Sequence, residues 1–310
     1  MRILPFLFFL FLLLSGCDST PDISDEHLDG QIIFDASIAH PESYLQSLAN
    51  PHPSVQDAAK PVFIAIHGYS ASTFEWDEFR EYSVNRDDYF ISQVLLGGHG
   101  MTYDDFKKAS WRTWQESIKD EYDRLLEAGY SNINFVGSST GGALLIELLA
   151  SGYFDNKATP RHIFLVDPIV IPSSKLISII PIIGPVLGYT ESDNTTEEDT
   201  YWYRFRPQET LQELLEVIVR VRKKLENGIT LPPGTTMKVY KSIMDPTADP
   251  VSAVLIYKGL KTSSGGSIDV AMVESDLHVF TRLSLRNGID SADLENQLLT
   301  FKDIVARGLN

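Results

Sequence analysis

One cysteine stands in 310 residues. That scarcity excludes an internal disulfide framework and any metal site built on several thiolates. Basic residues are also in short supply: 26 Lys and Arg against 42 Asp and Glu leave a formal charge of −16. Such an acidic surface repels phosphate backbones and anionic lipid, so it excludes nucleic-acid binding by charge and membrane adhesion through a basic patch. Internal repeats and low-complexity tracts are absent, which removes solenoids and arrays. What is present is apolar content: 43% hydrophobic and 22% charged residues suffice for a sizeable core in one large α/β domain or two small ones.

Residues 1–17 have the layout of a bacterial export signal. Arg2 supplies the positive start, Ile3 to Leu14 are apolar, and the small residues Ser15 and Gly16 precede Cys17. The stretch falls short of the about 20 residues of a comfortable membrane span. Leu14-Ser15-Gly16-Cys17 looks like a lipobox, so Cys17 is expected to carry a lipid that anchors an exported protein to a membrane of the cell envelope. An ordinary cleaved signal and an uncleaved anchor are the alternatives. Residues 18–60, rich in Asp, Ser, Pro and His, read as a tether and an irregular leader, with an edge strand at Gln31–Phe34 as one option. His27, His40 and His52 are simplest as solvated loop residues.

From residue 61 to 310 short apolar runs alternate with amphipathic segments. Strands are expected at Val62–Ile66, Ile91–Leu96, Ile133–Val136, His162–Val166, Thr236–Ser242 and Ser267–Val273. Helices are expected at Trp111–Ala128, Gly142–Leu149, Val251–Leu260 and Ala292–Val305; the first sets Trp114, Ile118, Tyr122 and Leu125 on one face. The alternation predicts an α/β fold with a doubly wound, mostly parallel sheet. Residues 169–230 interrupt it without a clear strand. An apolar, proline-broken part, Ile169–Leu187, precedes a polar stretch and Tyr201-Trp202-Tyr203, and from Pro207 an amphipathic helix runs to Gly228. An insertion of this size reads as a cap or lid; a structural subdomain is the plainer alternative.

Gly137-Ser138-Ser139-Thr140-Gly141 matches G-x-S-x-G, directly after a strand and at the opening of a helix. The turn must be tight enough to require glycine at both ends, which lifts the Ser139 hydroxyl above the sheet as a nucleophile. Serine needs a base, and the base an orienting acid. In the chain order Ser, Asp or Glu, His, the only histidine after residue 170 is His278. Three carboxylates compete for the acid. Asp245 at the end of the Thr236–Ser242 strand ranks first. Asp249 follows, although Asp249-Pro250 resembles a helix cap, and Asp167 is third. Backbone amides of Thr140, after the nucleophile, and Tyr69, in His67-Gly68-Tyr69-Ser70 after an early strand, are the expected oxyanion donors. His67 is expected to hold that loop rather than to move protons.

Together with Gly98-His99-Gly100 and Trp111-Arg112-Thr113-Trp114, these residues resemble the carboxylesterase and monoacylglycerol lipase group of the α/β-hydrolase superfamily, from about Pro61 to Ala306. The resemblance supports Asp245 as the acid and places the cap at 169–230. It departs in having Ser242 where a glycine usually precedes the acid, and small polar residues, Ser138 and Thr140, flanking the nucleophile. It implies a serine ester hydrolase that forms an acyl-enzyme on Ser139 and requires no metal or organic cofactor. The apolar cap points to medium-chain acyl esters or monoacylglycerols rather than charged substrates. The alternatives are the same triad acting on thioester, amide or peptide bonds, and a non-catalytic lipoprotein of hydrolase fold that binds a ligand or partner.

Overall fold

The computed structural model of the chain describes residues 21–24, 26–30, 52–174, 184 and 187–310. The expected export signal with Cys17, the optional edge strand at Gln31–Phe34, His40 and most of the apolar half of the insertion lie outside these residues. No described helix is long and apolar enough to cross a membrane.

In chain order the elements are helix α1 (Val55–Ala58), strand β1 (Val62–Ile66), α2 (Asp77–Tyr82), β2 (Phe90–Val94), α3 (Tyr103–Lys108), α4 (Trp111–Glu127), β3 (Ile133–Ser138), α5 (Ser139–Ala150) and β4 (His162–Val166). The insertion supplies β5 (Tyr189–Glu191), β6 (Phe205–Pro207), α6 (Gln208–Asn227) and β7 (Ile229–Thr230). Then follow β8 (Thr236–Ser242), α7 (Val251–Gly259), β9 (Leu260–Lys261), β10 (Asp269–Val273) and α8 (Ser291–Gly308). Six strands form one sheet in the order β10-β8-β4-β3-β1-β2, and every neighbouring pair is parallel. All six strands therefore end on the same edge.

The strand period of two divides the core between the two sheet faces. Val62, Ile64 and Ile66 of β1 join Phe135, Trp114, Ile118 and Leu145 on one side. Phe63 and Ala65 join Val136, Phe164, Phe79 and Phe301 on the other. Helix α4 shows how sequence makes this layer. Ser110 caps it by accepting from the Thr113 amide, and Trp114, Ile118, Tyr122 and Leu125 are buried along one stripe. Each such side chain contributes about 1.5–3 kcal/mol through burial.

Several boundaries differ from the sequence reading, for local reasons. The second strand ends at Val94, and Leu95-Leu96 enter the Gly97-Gly98 turn instead of the ladder. The third continues to Ser138, which still pairs with Val166. The helix after it opens at Ser139 rather than Gly142. The insertion does contain strands. β5 and β6 form an antiparallel pair, and β7 pairs with β9; segments of two or three residues leave no periodic signal. Helix α6 packs against α5 and α7, so much of the insertion's second half belongs to the helical layer, and Arg220 seals it by pairing with the buried Glu147 at 2.6 Å.

Candidate active site

All the loops that follow strand ends of the parallel sheet gather at one edge, where open α/β sheets bind ligands. Ser139 sits immediately after β3 with φ of 48°, a left-handed conformation that costs a non-glycine residue energy. The elbow tolerates it because its neighbours leave no room for anything else. A Cβ on Gly141 would lie 2.7 Å from the Ile66 carbonyl oxygen, and one on Gly137 would lie 2.8 Å from Leu145. Ser138 is buried instead and donates to the Ile66 carbonyl at 3.2 Å and to Glu75.

Three residues from distant points of the chain then meet. Ser139 Oγ lies 2.9 Å from His278 Nε2, and His278 Nδ1 lies 2.8 Å from Asp245 Oδ2. An ionised carboxylate only accepts, so Nδ1 carries the proton and Nε2 is left to accept from the serine hydroxyl. Asp245 Oδ1 accepts from the Thr247 and Ala248 amides at 2.8 and 3.0 Å, which fixes the carboxylate in a local turn. Burial pushes the Asp245 carboxyl up, but the hydrogen bond and charge of His278, reinforced by Lys241, hold it well below the usual carboxylate range.

The competing acids take other places. Asp249 accepts from the Val251 amide at 2.8 Å at the start of α7. Asp167, fully buried, accepts from the Ser242 amide at 2.8 Å, the Phe280 amide at 3.2 Å and Lys241 Nζ at 2.9 Å. Asp167, Asp245 and His278 offer potential metal-ligand atoms within 4.8 Å of one another. Lys241 Nζ already bridges the two carboxylates, so their negative charge is met by an ammonium. Ser242, where the related group usually has glycine, donates its hydroxyl to Asp167 Oδ2 at 3.1 Å.

The loop expected to supply oxyanion donors is built around Gly68. Its amide donates to Glu75 Oε1 at 2.7 Å, and a Cβ there would lie 3.0 Å from Ser139 Cβ, so the loop backbone runs against the nucleophile. The amide of Thr140 lies in the first turn of α5, where amides have no intrahelical acceptor and the helix dipole favours negative charge. Tyr69 follows Gly68 in the same loop and lines the cavity with Thr140. His67 is buried beneath; its Nε2 accepts from the Leu96 amide at 3.0 Å, so Nδ1 donates to the Gly68 carbonyl at 2.8 Å. Burial holds both His67 and His99 below the usual imidazole range. His99 accepts from the Ser70 amide at 3.3 Å and packs on Phe106 and Trp114.

A cavity of about 290 Å³ opens above Ser139. The insertion roofs it with Leu211 and Leu214 from α6, Trp202 and Arg206. Tyr203 anchors that roof: its ring stacks on Phe106 at 4.1 Å, its amide donates to the Ser70 carbonyl at 2.8 Å and its hydroxyl accepts from the Met101 amide at 2.9 Å. The described lining is charged as well as apolar. It includes Arg206, Arg282 and Arg286, while the apolar residues 175–183 and 185–186 lie outside the described residues. The leader also contributes: Asp29 is buried, and its carboxylate accepts from the Arg204 and Phe205 amides, both at 2.7 Å.

Lys241, Glu75, Arg206 and Arg286 were not singled out from sequence. Only Lys241 left a signal, as a lysine inside a strand that the pattern expects to be covered on both faces.

No protein-family model and no curated protein sequence matches the chain. Solved structures do. A structure of the metagenome-derived lipolytic enzymes LipS and LipT shares 19% identity, with 81% of this chain and 94% of that one covered, at a TM-score of 0.64. The monoacylglycerol lipase of Paleococcus ferrophilus shares 12% identity, with 80% and 96% covered, at 0.60. Mouse alpha/beta hydrolase domain-containing protein 10 shares 13% identity, with 79% and 90% covered, at 0.53. With six parallel strands and a serine elbow at their common edge, the chain has the α/β-hydrolase fold.

Proposed function

We propose that the protein is a serine hydrolase of carboxylic esters. The observation that carries this reading is the continuous relay from Ser139 Oγ to His278 Nε2 at 2.9 Å and from His278 Nδ1 to Asp245 at 2.8 Å, at the floor of a cavity. Likeness of fold to lipolytic enzymes and a monoacylglycerol lipase agrees with it.

Ser139 Oγ attacks the ester carbonyl carbon while His278 Nε2 takes its proton. The Tyr69 and Thr140 amides stabilise the oxyanion, and Asp245 stabilises the imidazolium. Collapse of the tetrahedral intermediate breaks the bond to the alkoxide, which takes the proton back from Nε2 and leaves as alcohol. Water, deprotonated by the same nitrogen, then releases the acid from the acyl-enzyme.

The test is labelling by a fluorophosphonate together with turnover of a short-chain ester. Ser139→Ala should lose labelling and at least about 10⁴-fold in kcat while melting like wild type. If labelling survives in Ser139→Ala and disappears in Ser138→Ala, the assignment of the nucleophile is wrong. Parallel thioester and anilide substrates decide whether ester is the preferred bond.

The reading includes export and a lipid anchor on Cys17, supported by the sequence Leu14-Ser15-Gly16-Cys17 alone. Metabolic labelling with palmitate in a bacterial host should mark wild type and not Cys17→Ser. An unlabelled wild type removes the anchor and leaves the chemistry untouched.

A further inference from the structure

For a chain of net charge −16, the cavity above Ser139 holds a concentration of arginine. Arg282 is already neutralised: it pairs with Glu198 and lies 4.4 Å over the Trp202 ring. Arg206 and Arg286 are different. Arg206 reaches the cavity from β6 in the cap, where Nη2 donates to Ser192 Oγ at 2.9 Å while the buried Nε has no hydrogen-bond partner among the described residues. Arg286 reaches it from the segment after His278 and donates to the His278 carbonyl oxygen. Neither forms an ion pair with a described carboxylate, whereas Arg204 pairs with Asp199, Arg220 with Glu147 and Arg124 with Glu121.

The acids near the cavity form no direct ion pair with them; Asp29 acts on Arg206, and Glu198, Glu75 and Asp167 act on Arg286, only through space. Glu75 is held by the Gly68 amide and the Ser138 hydroxyl, Glu198 by Arg282, and Asp193 is exposed and unpaired among the described residues. Burial pulls both guanidiniums below their ordinary range, Arg286 to about 10. A buried guanidinium that no carboxylate bonds directly is costly, and a guanidinium fork is well shaped to bind a carboxylate or phosphate.

We propose that Arg206 and Arg286 form a subsite for a second, ionised group on the substrate, so that the ester cleaved at Ser139 carries a carboxylate or a phosphate. This rests on the serine-hydrolase reading and narrows its substrate class. The two guanidiniums come from different segments, one from β6 in the insertion and one from the chain after His278. An anion bound by them orients the ester over Ser139.

The experiment uses the full-length enzyme and two matched pairs of substrates: monoethyl against diethyl adipate, and the phosphate monoester of monobutyrin against monobutyrin. The anionic member of at least one pair should have the higher kcat/KM by about tenfold or more, as charge-assisted hydrogen bonds to an anion imply. The pair that shows the preference identifies the oxyanion. Arg206→Met and Arg286→Met should each pull that ratio towards one, and Arg206→Lys should retain part of it. Because Arg286 also holds the His278 backbone, the ratio between paired substrates is read, not the rate. Arg206, on the cap, gives the independent variant. Ratios of one or less in both pairs, with Ser139 still labelled by a fluorophosphonate, overturn the anionic subsite and leave the hydrolase standing. No labelling and no turnover of any of these esters overturns the hydrolase reading, and the subsite with it.

Discussion

Lys241 Nζ and His278 Nδ1 bond the same oxygen of Asp245, Oδ2, and the lysine has a second carboxylate, Asp167 Oδ1, at 2.9 Å. Asp245, the proposed catalytic acid, is thus one member of a fully buried Asp-Lys-Asp group. With both carboxylates ionised and the lysine protonated, this group has a net charge of one negative. That is the charge needed to balance an imidazolium formed during turnover.

Lys241→Met should therefore do two things. Leaving two buried carboxylates unbridged should cost about 3–5 kcal/mol of stability, read as a lowered melting temperature. Removing the second donor to Asp245 Oδ2 should also loosen the carboxylate that faces His278 Nδ1 and lower kcat. A loss of stability with kcat unchanged would confine Lys241 to a structural role.

The three candidate acids separate by what each one holds. Asp245→Asn removes the charge facing His278 Nδ1 and permits the wrong tautomer, so kcat should fall by about 10⁴-fold, as serine-protease precedent suggests. Asp249→Asn should leave turnover near wild type and cost well under about 1 kcal/mol, because asparagine can still accept from the Val251 amide. Asp167→Asn should lower the melting temperature more than Asp249→Asn, since it unbalances Lys241. Its turnover should stay within about tenfold of wild type if Asp167 acts only through Lys241. Measuring kcat for the three variants beside thermal melts decides the ranking; a drop confined to Asp167→Asn would overturn it.

The elbow was legible in the sequence because its chemistry is local: a strand, two glycines that nothing larger can replace, and a helix. His278 was legible through elimination, as the only histidine after residue 170. Asp245 could be ranked above Asp249 because Asp249-Pro250 already looked like a cap, and Asp249 does accept the Val251 amide. The partners of these residues were not legible. Glu75 meets Ser138 across 63 positions and Asp167 meets Ser242 across 75, and no local period encodes such distances. The arginines of the cavity wall were missed for a related reason. The cap's sequence is dominated by isoleucine and proline between 169 and 187, while the described wall of the cavity takes its arginines from the end of the cap and from the loop after His278. The β5–β6 pair, three residues on each side, is too short for alternation to show.

Gly68 is a further point where geometry predicts kinetics. A Cβ at that position would approach Ser139 Cβ to 3.0 Å and Oγ to 3.5 Å, with little slack on the serine side because Ser139 is held in its own strained turn. Gly68→Ala should displace either the oxyanion loop or the hydroxyl by a few tenths of an ångström. Small misplacements at reacting atoms are expensive, so kcat should drop by roughly 10²-fold with KM much less affected. Equal turnover in Gly68→Ala would mean that the loop does not contribute to the oxyanion site.

Asp29 supplies a pH test of the contact between leader and cap. Burial raises its carboxyl to about 6, outweighing the Phe205 and Arg204 amides that hydrogen-bond it. In the unfolded chain the same group titrates near 3.8. Between these values the folded protein holds the proton and the unfolded chain does not, so this residue makes folding less favourable as pH rises from about 4 to 6. Asp245 has the opposite sign: its depressed carboxyl adds stability above the ordinary carboxylate range, lost as pH falls through the acid region. Asp29→Asn mimics the protonated side chain at every pH. Its melting temperature relative to wild type should therefore climb as pH is raised from 4 to 7, and a difference that stays flat or falls would mean that the carboxyl is not raised. Asp29→Leu removes both acceptors, and each orphaned amide should cost about 1–3 kcal/mol. Since Arg206 follows these two amides directly, Asp29→Leu should also weaken the preference for anionic esters if Arg206 sets it. That loss, measured on the same paired substrates, would connect the leader to the site through the cap strand.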